Sequence, residues 1–198
     1  IRWFVEEFID QEVGLVVKTS MLRNNITDRT HTKDRISKIL KEYPDRKCKL
    51  YLLHGNMTEE EMTSLYQHPK IKALVSLSHG EGFEAAYNGL PVIATEWSGH
   101  LDFMTMPVES KKGKLKNKSM FATVKYSLAP IQQEAIWEGV LSAKSKWAYA
   151  DQGSYKMRLR EVCKDYNRFR SQAEKLKKHI IEKYDAETQY RAFVEAIL

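Results

Sequence analysis

Short apolar segments rich in β-branched residues alternate with segments of helical periodicity through the first half of the chain. The apolar segments are too short for helices and are bounded by polar loops, which predicts strands. They are Gly14 to Ser20, Cys48 to Leu53, Ile71 to Leu77 and Val92 to Thr95. The helical segments are Asp34 to Tyr43, Thr58 to Gln67 and Glu84 to Asn88. Because alternating strands and helices build a mainly parallel sheet, we expect an α/β fold of the Rossmann-like class, an open sheet with helices on both faces.

Local signals mark the ends of these helices. Pro44 follows the first one and is expected to end it. Thr58 and Glu61 have the spacing of a capping box at the start of the second. Gly89 follows the third, where its lack of a Cβ suits a left-handed cap.

The second half of the chain lacks this regular alternation. Strands are predicted at Met120 to Tyr126 and Trp147 to Ala150, and a basic loop at Lys111 to Lys118. Helices are predicted at Gln132 to Lys144, Tyr155 to Lys183 and Ala186 to Leu198. The fold therefore ends in long C-terminal helices.

Apolar residues recur every three or four positions along the long predicted helix. They are Leu159, Val162, Tyr166, Phe169, Ala173, Leu176 and Ile180. This spacing is that of a coiled coil, but Tyr, Phe and Ala at the seam favour packing on the chain's own sheet. The final helix has its own apolar face, formed by Tyr190, Phe193, Val194 and Ile197.

Length and composition limit the class of protein. A chain of 198 residues with 42% apolar side chains can bury one sizeable core, which predicts one domain over residues 1–198. No apolar run approaches the ~20 residues of a membrane-spanning helix. Cys48 and Cys163 have no metal-ligand or redox spacing, so we expect a reducing compartment and a cytoplasmic protein. Helical spacing begins at Ile1 without a capping residue, so we expect the chain to start inside something larger.

Polar residues and glycines follow the four predicted strands of the first half, where open parallel sheets bind ligands. The groups that follow are Lys18-Thr19-Ser20, His54-Gly55-Asn56, Ser78-His79-Gly80-Glu81-Gly82 and Glu96-Trp97-Ser98-Gly99-His100. Glycines beside Glu81 would let backbone amides approach an anion, and Ser98-Gly99 forms a second such turn. Since a carboxylate repels phosphate, we expect Glu81 to accept hydrogen bonds from sugar hydroxyls. His79 and His100 are candidates for hydrogen bonds to phosphate or sugar.

The stretch Ser76 to Phe103 resembles the donor-site signature of retaining glycosyltransferases with the GT-B fold, the large family called group 1 or family 4. The residues that carry the likeness are, in order, Glu81-Gly82-Phe83, Glu84, Gly89-Leu90-Pro91-Val92-Ile93-Ala94 and Ser98-Gly99. The helix from Thr58 after His54-Gly55-Asn56 resembles the family's base-contacting loop and helix. The likeness covers roughly residues 48–103 well and the rest of the chain only in pattern.

The resemblance implies that the chain is the C-terminal, nucleotide-sugar-binding domain of a two-domain enzyme, inactive without its N-terminal acceptor domain. The enzyme would transfer a hexosyl group from a nucleotide diphosphate sugar to an acceptor with retention. Glu81 would be the catalytic residue, which binds the sugar or stabilises the developing positive charge, and Glu84 would bind the ribose. The other donor-binding residues would be Gly82 and Phe83 through their amides, Gly55, Asn56 and Met57 around the base, Ser98 and Gly99 at the phosphates, and His79 and Lys18.

No metal or other cofactor is expected. The sequence has no Asp-x-Asp pair at a strand exit and no ligand spacing among its histidines. Amides and basic side chains can supply the stabilisation that the leaving group needs.

The chain departs from the family pattern in two places. The family separates its two glutamates by seven residues, whereas only Gly82 and Phe83 separate Glu81 from Glu84. Either a loop segment is missing from the sequence or the chain has lost its phosphate-cradling glycines, and the first is our expectation. The family's basic pair at the diphosphate would precede Ile1.

Two other functions stay open at this stage. A GT-B-like nucleotide-sugar epimerase or phosphorylase would keep the fold and change the chemistry. A non-catalytic basic module would bind nucleic acid or a protein through its long helix and Lys111 to Lys118. That lysine segment is either a solvated loop or a contact for an anionic acceptor, a membrane surface or DNA, and the net charge of +6 does not choose between them.

Overall fold

The computed structural model describes residues 1–21, 24–78, 81–109 and 113–198. The chain has a mixed α/β fold, as predicted. It divides into two compact units, residues 1–62 and residues 63–198.

The first unit contains a pair of parallel strands joined by a helical crossover. Its elements are α1 (Arg2–Glu7), β1 (Gly14–Thr19), α2 (Ile26–Leu40), β2 (Lys49–His54) and the start of α3 (Glu59–Gln67). Strand β1 pairs with β2 in parallel from Gly14 opposite Lys49 to Thr19 opposite His54. The buried apolar residues of this unit are Phe4, Val5, Phe8 and Cys48.

Helix α2 begins well before the predicted start at Asp34. Asn25 caps it, because its side chain accepts a hydrogen bond from the Asp28 amide at 2.9 Å. The Asp28 carboxylate in turn accepts from the Asn25 amide at 3.3 Å. This capping box satisfies two backbone donors in a polar segment without apolar periodicity.

The second unit contains the remaining elements. In chain order they are β3 (Leu74–Ser76), α4 (Phe83–Tyr87), β4 (Val92–Thr95), α5 (Leu101–Met104), β5 (Thr105–Glu109), β6 (Leu115–Ser119), β7 (Ala122–Val124), β8 (Tyr126–Pro130), β9 (Lys146–Ala150), α6 (Gln152–Lys164), α7 (Tyr166–Lys183) and α8 (Ala186–Ile197).

A three-stranded parallel sheet forms the centre of this unit. Its strand order is β3-β4-β7, and all four residues of β4 are buried. The buried residues of its main core cluster are Ala85, Ala86, Leu90, Val92, Ala94, Met104, Met120, Phe121, Leu176 and Ile180. The other two sheets of the unit are the antiparallel hairpins β5-β6 and β8-β9. The strands described here thus form small separate sheets, and a single Rossmann-like layer stays a prediction.

Two predictions for the second half of the chain were wrong. The helix expected at Gln132 to Lys144 is absent, and this segment holds only a short 3-10 helix at Gln133–Ala135. Gly139 has a φ of +78°, which interrupts any helix there, and Trp137 is 66% exposed, so no apolar face is buried. The expected loop at Lys111 to Lys118 is in part the strand β6, paired with β5.

The long predicted helix is two helices, because Asp165 leaves the helical conformation with φ −126° and ψ 50°. Its apolar seam faces the chain's own core, as predicted: Phe169, Ala173, Leu176 and Ile180 are all buried. Helix α8 has no buried residue. In the described parts of the chain, every helix is too short or too polar to cross a membrane.

We expect Ile180→Ala to lower the free energy of unfolding by about 3 kcal/mol, because Ile180 is fully buried in the core cluster. The neighbouring Ile181 is 43% exposed and provides a matched control. Ile181→Ala should cost less than about 1 kcal/mol in urea unfolding. Equal losses in the two variants would contradict the assigned inner face of α7.

Candidate functional site

The carboxyl ends of β3, β4 and β7 lie at one edge of the central sheet, because the three strands are parallel neighbours. Ser78 and Glu81 follow β3, and Trp97 and Ser98 follow β4. The topology therefore brings Glu81 and Ser98 to the same edge. This is the place where ligands of open parallel sheets bind.

Two serine hydroxyls hold the carboxylate of Glu81. The Ser76 hydroxyl donates to Glu81 Oε2 at 2.9 Å, and the Ser78 hydroxyl donates to the same oxygen. The two hydroxyls themselves lie 2.7 Å apart. Ser76 is the last residue of β3 and is nearly buried, so the side chain of Glu81 is tied to the end of the sheet. A carboxylate held in this way is a preorganised hydrogen-bond acceptor.

Glu84 lies in the first turn of α4 and is exposed. Tyr66, which is half-buried in α3, is affected by the charge of Glu84. Burial raises the pKa of the Tyr66 phenol, and the negative charges of Glu84 and then Glu81 raise it further. Both carboxylates are therefore close enough to Tyr66 to act on it. The proximity of Tyr66 to the glutamates has no signal in the sequence.

Gly82 fixes the turn between the two glutamates. Its φ is +108°, a left-handed conformation that favours glycine. A Cβ at this position would lie 2.6 Å from the Met104 side chain. Phe83 points into an aromatic cluster, with its ring centroid 5.2 Å from that of Phe103 and 5.9 Å from that of Tyr184. The Phe83 side chain is thus part of the packing, and only its backbone is available for the predicted role.

The turn after β4 contains a strained residue. Ser98 has a φ of +95°, which is rare for a residue with a Cβ, and such strain clusters at functional sites. The Leu101 and Asp102 amides close the turn by donating to the carbonyls of Ser98 and Gly99. Gly99 is exposed, and a Cβ there would meet nothing within 4 Å. The backbone of this turn is therefore open to a ligand.

His100 is a structural residue, which corrects the expectation that it could contact phosphate or sugar. It is 1% exposed, and its Nε2 lies 2.6 Å from the Thr95 carbonyl. Because a carbonyl only accepts, Nε2 carries the proton. Its Nδ1 and the Thr95 hydroxyl are buried without a hydrogen-bond partner among the described residues.

The other predicted residues lie in the first unit. Lys18 and Gly55 are brought together, because the Lys18 ammonium donates to the Gly55 carbonyl at 2.6 Å. Gly55 has a φ of +120°, and its amide donates to the Thr19 carbonyl. Asn56 is exposed and Met57 is half-buried in the same loop.

The capping box predicted after this loop is confirmed, since Thr58 and Glu61 exchange both hydrogen bonds, at 2.9 and 3.3 Å. The predicted residues are thus divided between the units. Glu81, Gly82, Phe83, Glu84, Ser98 and Gly99 belong to residues 63–198. His79 lies outside the described residues.

Comparisons with known proteins add no family to this geometry. No protein-family model matches the chain, and no curated protein is significantly similar to it. Among the residues that the structure describes, no group of three or more His, Cys, Asp or Glu side chains is arranged to hold a metal ion.

We expect Gly82→Ala to lower the free energy of unfolding by about 1 to 3 kcal/mol, because of the left-handed backbone and the contact with Met104. Gly99→Ala is the matched control, since its Cβ would point into open space. That variant should change the free energy by less than about 0.5 kcal/mol in urea unfolding. An unchanged free energy of unfolding in Gly82→Ala would show that the turn is not fixed as described.

We expect Glu84→Gln to lower the pKa of Tyr66 toward the ordinary 10.0, because it removes a negative charge that disfavours the phenolate. A pH titration by carbon NMR of labelled tyrosines, assigned with Tyr66→Phe, measures this shift. Glu182→Gln is the control, since Glu182 makes no contribution to the Tyr66 phenol. An unchanged titration in Glu84→Gln would place the Glu84 carboxylate away from Tyr66.

Proposed function

We propose that this chain is the donor-binding domain of a retaining GT-B glycosyltransferase and binds a nucleotide diphosphate sugar. The observation that supports this best is the Glu81 carboxylate, held by Ser76 and Ser78 at the carboxyl edge of a parallel sheet. Such a group is suited to a neutral, hydroxyl-rich ligand. The order of the glutamates and glycines along the chain and the strained turn at Ser98 also support the proposal.

In this proposal Glu81 accepts hydrogen bonds from hydroxyls of the donor sugar. As the bond from the sugar to the diphosphate breaks, positive charge develops on the sugar ring, and the Glu81 carboxylate stabilises it. Ser76 and Ser78 keep the carboxylate oriented, so it does not have to reorganise during the reaction. Glu84 accepts from the ribose hydroxyls.

The diphosphate would lie at the turn of Ser98 and Gly99, where the open space around Gly99 lets phosphate oxygens approach the backbone. The backbone amides of Gly82 and Phe83 would serve the diphosphate or the sugar, and no metal ion is invoked. The loop of Gly55, Asn56 and Met57 is held by the bond of Lys18 to Gly55, and its contact with the base stays a prediction from the resemblance. The proposal includes a Rossmann-like layer for this chain and a cytoplasmic location. It also includes an acceptor domain elsewhere in the protein.

We expect one of the UDP-, GDP-, ADP- or TDP-sugars to raise the melting temperature of the full chain. At ten times Kd the ligand contributes about 1.4 kcal/mol, or roughly 3 to 6 °C. Glu84→Gln should weaken binding by about tenfold or more, because a ribose hydroxyl would lose its charged acceptor. Glu81→Gln should weaken binding of the nucleotide sugar more than it weakens binding of the free nucleotide, which has no sugar for Glu81 to contact.

Glu182→Gln, an exposed substitution on α7, serves as the control and should leave the thermal shift unchanged. No response to any nucleotide sugar would contradict the proposal and favour a non-catalytic basic module. Where binding occurs, product analysis with an acceptor distinguishes transfer from the reactions of an epimerase or a phosphorylase.

A further inference from the structure

The turn that contains Ser98 and Gly99 starts and ends in the core. Thr95, the last residue of β4, is fully buried, and His100, which follows the turn, is buried as well. The four residues between them, 96–99, are half-buried or exposed. The turn is therefore a short loop between two ends that are held by packing.

One side-chain hydrogen bond joins the two ends of the turn. His100 Nε2 donates to the Thr95 carbonyl at 2.6 Å. The imidazole ring also packs at nearly a right angle against the ring of Phe121, with 5.7 Å between the centroids. Phe121 is a member of the core cluster. Since a close-packed interior leaves a ring little room to move, the donor is held in place against the Thr95 carbonyl.

Packing does not by itself account for a histidine at position 100. Its Nδ1 is buried without a hydrogen-bond partner among the described residues, and so is the Thr95 hydroxyl. An unpaired buried polar atom destabilises a fold, and an apolar ring would fill the same space without that cost. Such a ring would lack the Nε2–H donor.

The backbone between the two ends is strained at Ser98. Its φ of +95° is rare for a residue with a Cβ, and such a conformation persists only where the surrounding structure holds it. The first two amides of α5 bond to the turn itself, whereas His100 bonds back across the turn to Thr95. The His100 bond thus joins the residues on either side of the strained one.

We propose that His100 is a positioning residue, whose bond to the Thr95 carbonyl closes the turn and holds Ser98 in its left-handed conformation. The backbone at Gly99 is thereby kept open to phosphate. The phosphate part of this inference rests on the proposed function, whereas the effect on Ser98 is a property of the chain without ligand.

The test is NMR of the ligand-free chain, in which a positive φ gives a strong NOE between the amide and α protons of Ser98. His100→Phe keeps a ring and removes the donor, so we expect this signal to weaken. His100→Gln should retain it, because its amide nitrogen is as many bonds from the Cα as Nε2. His31→Phe, a change at an exposed position on α2, is the control and should have no effect.

Retention of the Ser98 signal in His100→Phe would overturn the proposal, and so would its loss in His100→Gln. The unmodified chain provides a check that does not require a variant to fold. Above the pH at which histidines titrate, ¹⁵N NMR should show His100 as the Nε2–H tautomer. The Nδ1–H tautomer would overturn the proposal.

A double substitution tests whether His100 maintains the strain. Glycine adopts a positive φ freely, so Ser98→Gly should raise the melting temperature of the unmodified chain by about 2 to 4 °C. In His100→Phe the strain is already released, and the same change should raise the melting temperature by less than about 1 °C. Equal effects in the two backgrounds would overturn the proposal.

Titration with UDP, GDP, ADP and TDP connects the turn to the proposed function. We expect the nucleotide that binds the unmodified chain to bind His100→Phe about tenfold more weakly, because a hydrogen bond to phosphate is lost. It should bind His100→Gln nearly as tightly as the unmodified chain, and equal affinity for His100→Phe would overturn the phosphate part. Absence of binding to the unmodified chain would contradict the proposed function, while the Ser98 signal decides separately whether His100 positions the turn.

Discussion

Burial of β4 is the constraint on which the rest of the second unit depends. All four residues of this strand are buried, and it pairs with β3 on one side and β7 on the other. A strand enclosed in this way cannot slip along its neighbours without exposing apolar side chains to water. Its parallel pairing also decides which residues share an edge, so that Glu81 and Ser98 both lie at that edge although neither contributes to the core.

Features set by local signals could be predicted from the sequence. Strand β4 has the predicted bounds, and the capping box at Thr58 forms as expected. Gly89 adopts the left-handed conformation expected at a helix end, with a φ of +74°. In each case a few adjacent residues determine the backbone, so the surrounding fold does not change the outcome.

Features set by distant contacts, or by a single interruption, could not be predicted. The segment from Gln132 to Lys144 has helical spacing, but Gly139 and the lack of a surface to cover leave it irregular. In the candidate site, the glutamates and glycines were predicted from their order along the chain. Ser76 and Tyr66 were not, because their proximity to Glu81 exists only once β3 and α3 have packed. The short spacing of Glu81 and Glu84, with only Gly82 and Phe83 between them, stays a departure from the family pattern.

Asp165 divides one stretch of helical sequence into α6 and α7. A straight rod from the start of α6 to the end of α7 would measure roughly 48 Å. A compact unit of this size has a radius of gyration of about 14 Å, so much of such a rod would overhang it. Because the chain changes direction at Asp165, α6 covers β4 and β7 while α7 covers α4 and β5. One non-helical residue thus lets a single amphipathic pattern shield two different surfaces from water.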